Sequence, residues 1–381
     1  MKISADRVLT PTGFLENRTI HLENGRVAGV GPREAGDVVC AVAVPGLIDQ
    51  HTHGGFGADV METTPERMLE WLRFLAARGV TQALAGVYTA PIKQMRAALE
   101  TARQVMRLQR GGADGALLAG VHLEGPFISR RALGAMDAQS VLPPSVAEYR
   151  RLTQGYEDMI RLVTLAPEEN ADALIGYLTA HGVRVQAGHT AATAEEGRHA
   201  FVTGVGGVTH FFNASTPIHH RAPGILTAAL LDDRAYCECI CDLVHVHPDA
   251  IRLIYKCKGA ERMIIVSDAV FTTGLPDGDY PEEDRVRHIR NGACVLDDGR
   301  ISGSTYPVAF GMRNLVKIGI PLEQAVMAAS RNPARDAGIL GHTGTLTPGK
   351  RADLVLLKED LFPAATFVDG EPVFTAEGVR L

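Results

Sequence analysis

Six side chains of metal-binding types stand at the carboxyl ends of five separate apolar runs: His51 and His53 in GLIDQHTH, Glu124 in GVHLEG, His189 in QAGHT, His210 in VTHFF and Asp268 in IIVSDA. Imidazole and carboxylate groups are common ligands of zinc and related divalent cations. The pattern therefore predicts a metal site built from strand ends, and such a site predicts an enzyme.

The pair His51 and His53 has the spacing of a chelate. In a β-strand, residues i and i+2 point to the same side, so both imidazoles can reach one ion at about 2.0 to 2.1 Å. Taken alone, the pair is also compatible with two polar residues near a glycine-rich loop. The candidates at the ends of the other runs favour the metal interpretation.

Glu124, His189 and His210 extend the candidate ligand set. Glu124 closes an apolar run, where an ionised carboxylate is costly to bury unless a partner such as a cation lies beside it. His189 and His210 each offer a neutral imidazole, the usual zinc ligand. Each histidine singly could be a hydrogen-bonded core residue, but all of them together at strand ends indicate a metal centre.

Asp268 is the candidate general base. An acidic residue beside an activated water can take its proton and later pass it to a leaving amine. The alternatives are a metal ligand or a helix cap. The first alternative does not exclude proton transfer, because Asp268 can both contact the metal and carry the proton.

The segments that position these side chains alternate between β-rich runs and amphipathic helical stretches. The first helix is predicted after Thr64, which can cap it, with Pro65 in its first turn and Gly79 at its end. Strands are predicted near residues 46–52, 80–87, 116–123, 160–166, 183–188, 207–212, 235–241 and 262–268. Eight strands separated by helices predict an α/β fold, the (β/α)8 TIM barrel, whose functional residues lie at the carboxyl ends of the strands.

The two ends of the chain have a different pattern. Residues 1–45 alternate apolar and polar positions around turns such as Glu23-Asn24-Gly25, and residues 352–374 do likewise. We expect residues 1–45 and 345–381 to form one small discontinuous β-sandwich domain beside a barrel of residues 46–344. Residues 275–304, with Asn291-Gly292 and Asp298-Gly299, predict a β excursion outside the barrel wall.

The composition suits a water-exposed globular protein with one large core. The chain has 381 residues, 46% of them hydrophobic, and a formal net charge of −6 without a basic block, which argues against a nucleic-acid partner. No apolar run approaches the roughly 18 to 20 residues of a membrane span, and Met1 to Leu9 carries charges where a signal peptide is apolar. We therefore expect no membrane partner and a cytoplasmic location.

Three of the six cysteines fall in the run Cys237-Glu238-Cys239-Ile240-Cys241. In a strand with a rise of about 3.3 Å per residue, Cys237 and Cys241 lie roughly 13 Å apart, too far to share one metal. Reduced thiols buried in the core are the expected state.

The residues described so far occur within longer motifs that resemble the amidohydrolase superfamily, and within it the family of N-acetylglucosamine-6-phosphate deacetylases. The similarity runs nearly from end to end, and HLEGP and HHRAPG are its most specific elements. The matching motifs are PGLIDQHTHGG, GVHLEGPFIS, QAGHTAAT, THFFNA, HHRAPG, VSDA and TLTPGKRADLVLL.

The resemblance implies the assignment of the metal ligands. Glu124, His189 and His210 would hold the principal divalent ion, and His51 and His53 could hold a second one together with Glu124 and Asp268. Many amidohydrolases bridge two metals through a carboxylated lysine on strand four; the run at residues 160–165 has no lysine, and Glu124 would take that role. One or two ions per subunit are expected, zinc first, with iron, cobalt or manganese as alternatives.

The resemblance also implies how an amino-sugar phosphate is bound. The phosphate would be held by Arg221, by backbone amides at Asn213 and Ala214, and by His245, with His220 nearby. In the family, the arginine can serve the neighbouring subunit, so a homodimer or a higher homo-oligomer is expected. Without the resemblance, Arg221 would be interpreted as a surface charge and His220 as a neutral loop residue.

The chain departs from the family at two substrate positions. Ala135 and Met136 lie where the substrate is expected, and Met136 replaces a histidine whose hydrogen bond methionine cannot donate. Asn213-Ala214-Ser215-Thr216 replaces the usual Asn-Ala-Met run. Both the sugar pocket and the acyl pocket can therefore differ from those of relatives.

The expected reaction is metal-assisted hydrolysis of the acetamide of N-acetylglucosamine 6-phosphate, giving acetate and glucosamine 6-phosphate. One alternative is the same chemistry on N-acetylgalactosamine 6-phosphate or on another N-acyl substrate. A second is a non-catalytic sugar-phosphate-binding protein that has kept the barrel.

Overall fold

The chain begins with four β-strands that each carry buried as well as more exposed side chains. The computed structural model describes residues 1–282 and 286–379. The first strands are β1 (Lys2–Thr10), β2 (Gly13–Glu23), β3 (Arg26–Pro32) and β4 (Val38–Pro45). Asn24 and Gly25 join β2 to β3 with φ of 50° and 73°, the left-handed conformations that a tight two-residue hairpin turn needs.

Strands and helices then alternate as the sequence predicted. In chain order the elements are β5 (Leu47–Thr52), β6 (Gly54–Gly55), β7 (Ala58–Asp59), α1 (Pro65–Ala76), β8 (Val80–Tyr88), α2 (Ile92–Leu108), β9 (Leu117–Glu124), α3 (Val146–Thr153), β10 (Ile160–Leu165), α4 (Asp172–Ala180), β11 (Arg184–Ala187), α5 (Ala194–Thr203), β12 (Gly207–Val208), α6 (Ile225–Leu231), β13 (Tyr236–Ile240), α7 (Pro248–Lys258) and β14 (Met263–Val266).

Eight of these strands form one parallel sheet in the order β14-β13-β12-β11-β10-β9-β8-β5. The sheet is nearly closed, because the amide of Asp268 donates to the carbonyl of His51 at 2.9 Å and Thr52 bridges to Ala269 in parallel register. The predicted (β/α)8 barrel is confirmed. All strand ends that carry candidate ligands therefore meet at one mouth.

Two boundaries differ from the sequence prediction. Helix α1 has the predicted cap, since the Thr64 hydroxyl accepts from the amide of Arg67, but it ends at Ala76, before Gly79. The strand predicted at residues 207–212 ends at Val208. It stops there because His210 and Phe212 take left-handed backbone conformations, with φ of 29° and 79°, that a strand cannot continue through.

The cysteine run forms β13 and confirms the expectation of buried thiols. Cys237, Cys239 and Cys241 are unpaired, buried and part of the main hydrophobic core. Because side chains alternate along a strand, Glu238 lies on the opposite face, within the barrel.

The segment after the last barrel strand leaves the wall, as predicted. It forms a four-stranded antiparallel sheet of β15 (Gly278–Pro281), β16 (Val286–Arg290), β17 (Ala293–Leu296) and β18 (Ile301–Ser304). Helices α8 (Val308–Lys317), α9 (Leu322–Ala329) and α10 (Arg331–Asp336) follow. Residues 283–285 of the predicted excursion lie outside the described residues.

The chain ends beside its beginning. Strands β19 (Leu354–Leu357), β20 (Pro363–Val368) and β21 (Glu371–Thr375) complete a seven-stranded sheet in the order β21-β20-β19-β4-β1-β2-β3. Its inner face buries a second core, which includes Ile3, Ile20, Leu354 and Phe367. We propose residues 1–45 and 345–381 as the small β-sandwich domain and 46–344 as the barrel domain; residues 380–381 lie outside the described residues.

Within residues 1–282 and 286–379, no helix is both long enough and apolar enough to cross a bilayer.

Candidate metal centre

The barrel brings all six candidate ligands to one place. His51 lies within β5 and His53 just after it, Glu124 ends β9, and His189, His210 and Asp268 each follow the last residue of their strand by two positions. The four histidines and Glu124 are at most 5% exposed. Residues as much as 217 positions apart therefore share a small buried volume at the mouth.

Glu124, His189 and His210 form the first of two groups in this cluster. The Glu124 Oε1 atom lies 3.1 Å from His189 Nε2 and 2.9 Å from His210 Nε2, and the two Nε2 atoms are 3.1 Å apart. Three potential ligand atoms thus converge on one point.

The second group contains His51, His53 and Asp268. The Nε2 atoms of His51 and His53 are 3.3 Å apart, and Asp268 Oδ1 lies 3.1 Å from His53 Nε2. Glu124 reaches this group as well, because its Oε2 lies 3.2 Å from His53 Nε2. One carboxylate therefore stands between both groups.

These distances fit a divalent metal. Tetrahedral ligands at 2.0 to 2.1 Å from one ion lie roughly 3.3 Å from each other, close to the separations within each group. The Nδ1 atoms of His53 and His189 face the carbonyls of Gly86 and Ala132 at 2.9 and 3.0 Å. A neutral ring in that setting carries its proton on Nδ1, so its Nε2 lone pair points into the cluster, where converging lone pairs need a cation between them.

The charges of the cluster favour the same occupant. Burial alone would raise the pKa values of both carboxyl groups. The surrounding histidines outweigh it: they hold the pKa of Glu124 well below its usual range and lower the pKa of Asp268 to about 2. Hydrogen bonds to Asp268 and Glu124 likewise raise the pKa of His53 to about 10 against the effect of burial. The carboxylates therefore attract positive charge, and a bound metal takes the place of protons.

Three of these residues have strained backbones. His189, His210 and Asp268 have φ of 48°, 29° and 49°, left-handed values that cost a residue other than glycine about 1 to 3 kcal/mol. Backbone hydrogen bonds hold the conformation of Asp268: its amide donates to His51 O, and its carbonyl accepts from Ser304 N, both at 2.9 Å. Strain of this kind is concentrated at functional sites.

The cluster forms the floor of a cleft of about 910 Å³. Five of the predicted substrate-binding residues line it: Ala135, Met136, Asn213, Ala214 and His245. The Nδ1 atom of His245 lies 2.7 Å from Asp242 Oδ2, and this contact raises the pKa of His245 although burial lowers it. The wall of the cleft thus presents an imidazole whose ring is held by a carboxylate.

His220 and Arg221 are the two predicted substrate residues that do not line this cleft. Both are exposed, and the Arg221 Nη1 and His220 Nε2 atoms lie 2.9 Å apart. The structure therefore does not bring them to the metal centre of their own chain.

Three arginines that the sequence analysis did not select line the cleft: Arg67, Arg287 and Arg300. The Arg287 side chain is buried and donates to Ser302. Arg300 comes from the hairpin after β17 and donates from Nη1 to the carbonyl of Gly134 at 2.7 Å. Nothing in their local sequence separates these arginines from surface charges, because the excursion that carries two of them is placed only by the fold.

The sequence also gave no prediction of the layer of buried polar side chains that lies beneath the metal cluster. Gln50 Nε2 donates to Glu238 Oε1 at 2.6 Å and to Asp336 Oδ2 at 2.8 Å, and Gln186 donates to the same Asp336 oxygen. Asp336 ends α10, far from the barrel strands in sequence. The alternation of Glu238 with three cysteines is the one signal that could have placed a carboxylate inside the barrel.

Asp336 gives a prediction about stability and pH. Burial and the nearby Glu238 raise the pKa of Asp336 to about 6, above roughly 3.9 in an unfolded chain. The folded protein then binds this proton more tightly than the unfolded chain does, so stability is lost as pH rises from about 4 to about 6. The unfolding free energy of Asp336→Asn does not depend on this proton. Relative to wild type, it should therefore rise by up to about 3 kcal/mol between about pH 4 and pH 6, and the difference should stay constant at higher pH.

Urea unfolding of both proteins at a series of pH values measures this difference. Asp114→Asn, at an exposed aspartate paired with Arg73, is the control and should not reproduce the trend. Parallel curves for wild type and Asp336→Asn would show that the buried carboxylate does not titrate in this range.

Comparison with known sequences places these features in a family context. Residues 42–373 match the model of the amidohydrolase family. The N-acetylglucosamine-6-phosphate deacetylase of Vibrio furnissii is 35% identical over 98% of this chain and 94% of its own. The N-acetylgalactosamine-6-phosphate deacetylase of Escherichia coli O157:H7 is 36% identical over 97% of this chain and 98% of its own.

Solved structures similar to this one include proteins of the same kind. A mutant N-acetyl-D-glucosamine-6-phosphate deacetylase from Mycobacterium smegmatis, solved in complex with N-acetyl-D-glucosamine-6-phosphate, superposes with a TM-score of 0.91. That structure is 34% identical to this chain, and the match covers 98% of this chain and 99% of the other.

Proposed function

The chain belongs to the amidohydrolase family, and we propose that this hydrolase removes the N-acetyl group from N-acetylglucosamine 6-phosphate. The convergence of four histidines and two carboxylates in one cluster carries the proposal, and all of them except His51 line the cleft. Relatives similar over nearly the whole chain act as deacetylases of hexosamine 6-phosphates. The products are acetate and glucosamine 6-phosphate, which places the enzyme in amino-sugar metabolism.

Glu124, His189 and His210 would hold the principal divalent metal, and His51, His53 and Asp268 a second. Zinc is our choice, because neutral imidazoles and carboxylates at near-tetrahedral separations suit it. A metal at this centre supplies Lewis acidity, which polarises the amide carbonyl and lowers the pKa of water.

Asp268 is the proposed general base and then general acid. Its carboxylate lies at the edge of the cleft floor, where it can accept a proton from the attacking water as the new C–O bond forms. It then returns that proton to the nitrogen as the C–N bond breaks, so the amine leaves neutral. His53, 3.1 Å from Asp268 Oδ1, restrains this carboxylate.

The phosphate is assigned to the cleft wall formed by His245, Asn213 and Ala214, all of which line the cavity. The Ala214 amide is the proposed backbone donor, because the Asn213 amide already donates to the carbonyl of His210 at 2.9 Å. Arg221 and His220, exposed in their own chain, would complete the phosphate site of a partner subunit in a homodimer. The planar guanidinium of Arg221 suits bidentate binding of a phosphate. We place the enzyme in the cytoplasm, where hexosamine phosphates are metabolised.

A second substrate deserves a direct comparison, because Met136 lines the cleft where a hydrogen-bond donor is expected. Ala135 and Met136 then present an apolar wall to the sugar. A wall of this kind does not select the hydroxyl orientation of glucosamine, so N-acetylgalactosamine 6-phosphate is the second candidate. Its deacetylase from Escherichia coli O157:H7 is as similar to this chain as the glucosamine enzymes are.

The deciding experiment measures acetate release by zinc-loaded protein from both N-acetylhexosamine 6-phosphates and from unphosphorylated N-acetylglucosamine. Turnover of the glucosamine phosphate above the others supports the proposal, whereas preference for its epimer supports the second candidate. If metal-loaded protein hydrolyses none of them, the assigned substrate class is wrong.

Arg221 provides a test of the phosphate site. Removing a charge-assisted hydrogen-bonding partner costs about 1.5 to 3 kcal/mol, so Arg221→Ala should lower kcat/KM for the phosphorylated sugar about 10- to 100-fold. The unphosphorylated sugar should be affected little. Arg198→Ala removes an exposed arginine from α5 and should change neither value; equal losses of Arg221→Ala on both sugars would contradict the assignment.

A further inference from the structure

Glu238 is a carboxylate that the proposed reaction does not use, and it lies directly beneath the metal cluster. It sits at the centre of β13, and its side chain is completely buried inside the barrel. Its Oε2 atom lies 3.2 Å from Nδ1 of His51. A buried carboxylate is costly for folding unless its partners compensate, so its contacts indicate what it does.

The four histidines of the cluster differ in what supports them from behind. His53 and His189 direct Nδ1 at backbone carbonyls, and His210 Nδ1 has no hydrogen-bond partner within the described residues. Of the four, His51 alone directs Nδ1 at a carboxylate. A carboxylate behind a ligating histidine fixes the proton on the rear nitrogen, sets the ring orientation and makes the front nitrogen a stronger donor to metal.

The position of Glu238 is itself fixed. Its second oxygen accepts from Gln50 at 2.6 Å, and its backbone carbonyl accepts from the amide of Phe211 at 2.7 Å. Gln50 is held in turn by Asp336 at 2.8 Å. The carboxylate therefore cannot turn away from His51 without breaking this network.

The front nitrogen of His51 faces the second metal group and the shared carboxylate of Glu124. Its Nε2 lies 3.3 Å from His53 Nε2, 3.4 Å from Glu124 Oε1 and 3.6 Å from Asp268 Oδ1. His189 and His210, which define the principal group, have no contact with Glu238 in the described residues. Support from Glu238 should thus act on one metal position rather than on both.

We propose that Glu238 is a positioning residue that makes the His51–His53–Asp268 group a competent second metal site. The inference rests on the proposed metal-dependent function, but it concerns metal occupancy rather than the identity of the substrate. It also explains why a costly carboxylate is retained among the buried cysteines of β13.

The test compares zinc binding by wild type and Glu238→Gln, using competition with a chromogenic chelator and the number of zinc ions bound per chain. Loss of a carboxylate behind a ligating histidine typically weakens metal binding 10- to 100-fold. We expect that loss at one of two sites, with the other site unchanged. Asp353→Asn is the matched control, because Asp353 is also a buried carboxylate but contacts Gln82 and Thr343, outside the network that holds Glu238.

Thermal unfolding of the metal-free proteins shows whether Glu238→Gln is folded, and so distinguishes a loss of metal positioning from a loss of structure. If Glu238→Gln does not fold, Glu238→Asp decides, because it keeps the charge but draws the carboxylate away from His51; a weaker second site is expected. Unchanged binding of two ions by the folded variant, or equal weakening of both sites, overturns the proposal. Substrate turnover is measured separately, so an error in the assigned substrate leaves this result intact.

Discussion

Replacing Asp268 by asparagine is expected to lower kcat by about 10²- to 10⁴-fold, the usual contribution of a general acid–base residue, while the principal metal site of Glu124, His189 and His210 stays occupied. Asparagine keeps the size of the side chain and an oxygen that faces His53, but it can neither accept the proton of water nor return it to the amine. The left-handed backbone at Asp268 suits asparagine as well as aspartate. Acetate release and metal content measured on the same preparation check the prediction.

The control for this variant is Asp59→Asn. Asp59 lines the same cleft but is absent from both metal-binding groups, so its loss should cost less than about tenfold, below the range for general acid–base catalysis. Near wild-type activity of Asp268→Asn with metal bound would show that another group carries the proton. Loss of the principal metal from that variant would instead show that Asp268 is needed for metal binding, so that the fall in kcat could not be assigned to proton transfer.

Replacing Glu124 by glutamine is expected to remove metal from both groups. Glu124 is the anionic member of the principal group and its second oxygen reaches His53, so one substitution weakens both sites. Removing a residue that only hydrogen-bonds to a metal ligand typically lowers metal affinity 10- to 100-fold. Because Glu124 is a proposed ligand itself, its loss should lower the affinity by more than that. Acetate release at a fixed zinc concentration should fall with the bound metal.

Thermal unfolding with and without zinc gives an independent measure for Glu124→Gln. A metal that binds only the folded state raises Tm by mass action, so zinc should stabilise wild type and leave the variant unchanged. Glu169→Gln is the control, because Glu169 accepts a hydrogen bond from Ser129 outside the cluster. A variant of Glu124 that keeps both the zinc-dependent shift and turnover would remove it from the metal centre.

The sequence was sufficient to predict the barrel because each part of its signal is local. Helix caps, apolar runs and Asn-Gly turns each depend on a few neighbouring residues, and the ligands could be assigned to one mouth because parallel strands align their carboxyl ends. Grouping the six ligands required only that rule. Their division into two groups around Glu124 was implied by the family resemblance and not by any local pattern.

The polar layer below the metal lay beyond the reach of pattern reasoning. Glu238 stands between two cysteines of β13, and Asp336, to which Gln50 links it, comes from a helix after the barrel. No periodicity relates these positions, because their contact arises from the closure of the sheet. For the same reason, the arginines of the excursion became cleft residues only when the excursion was placed against the mouth.

The pairing of β4 with β19 has a consequence for synthesis of the chain. These strands lie about 300 residues apart in sequence, with Pro45 opposite Leu354. At roughly 5 to 20 residues per second, a ribosome needs about 15 to 60 s to make the intervening chain. Throughout that interval one edge of β4 has no partner, and an open strand edge is a template for association between chains. Crowded nascent chains are therefore most exposed to aggregation just before their last strands emerge.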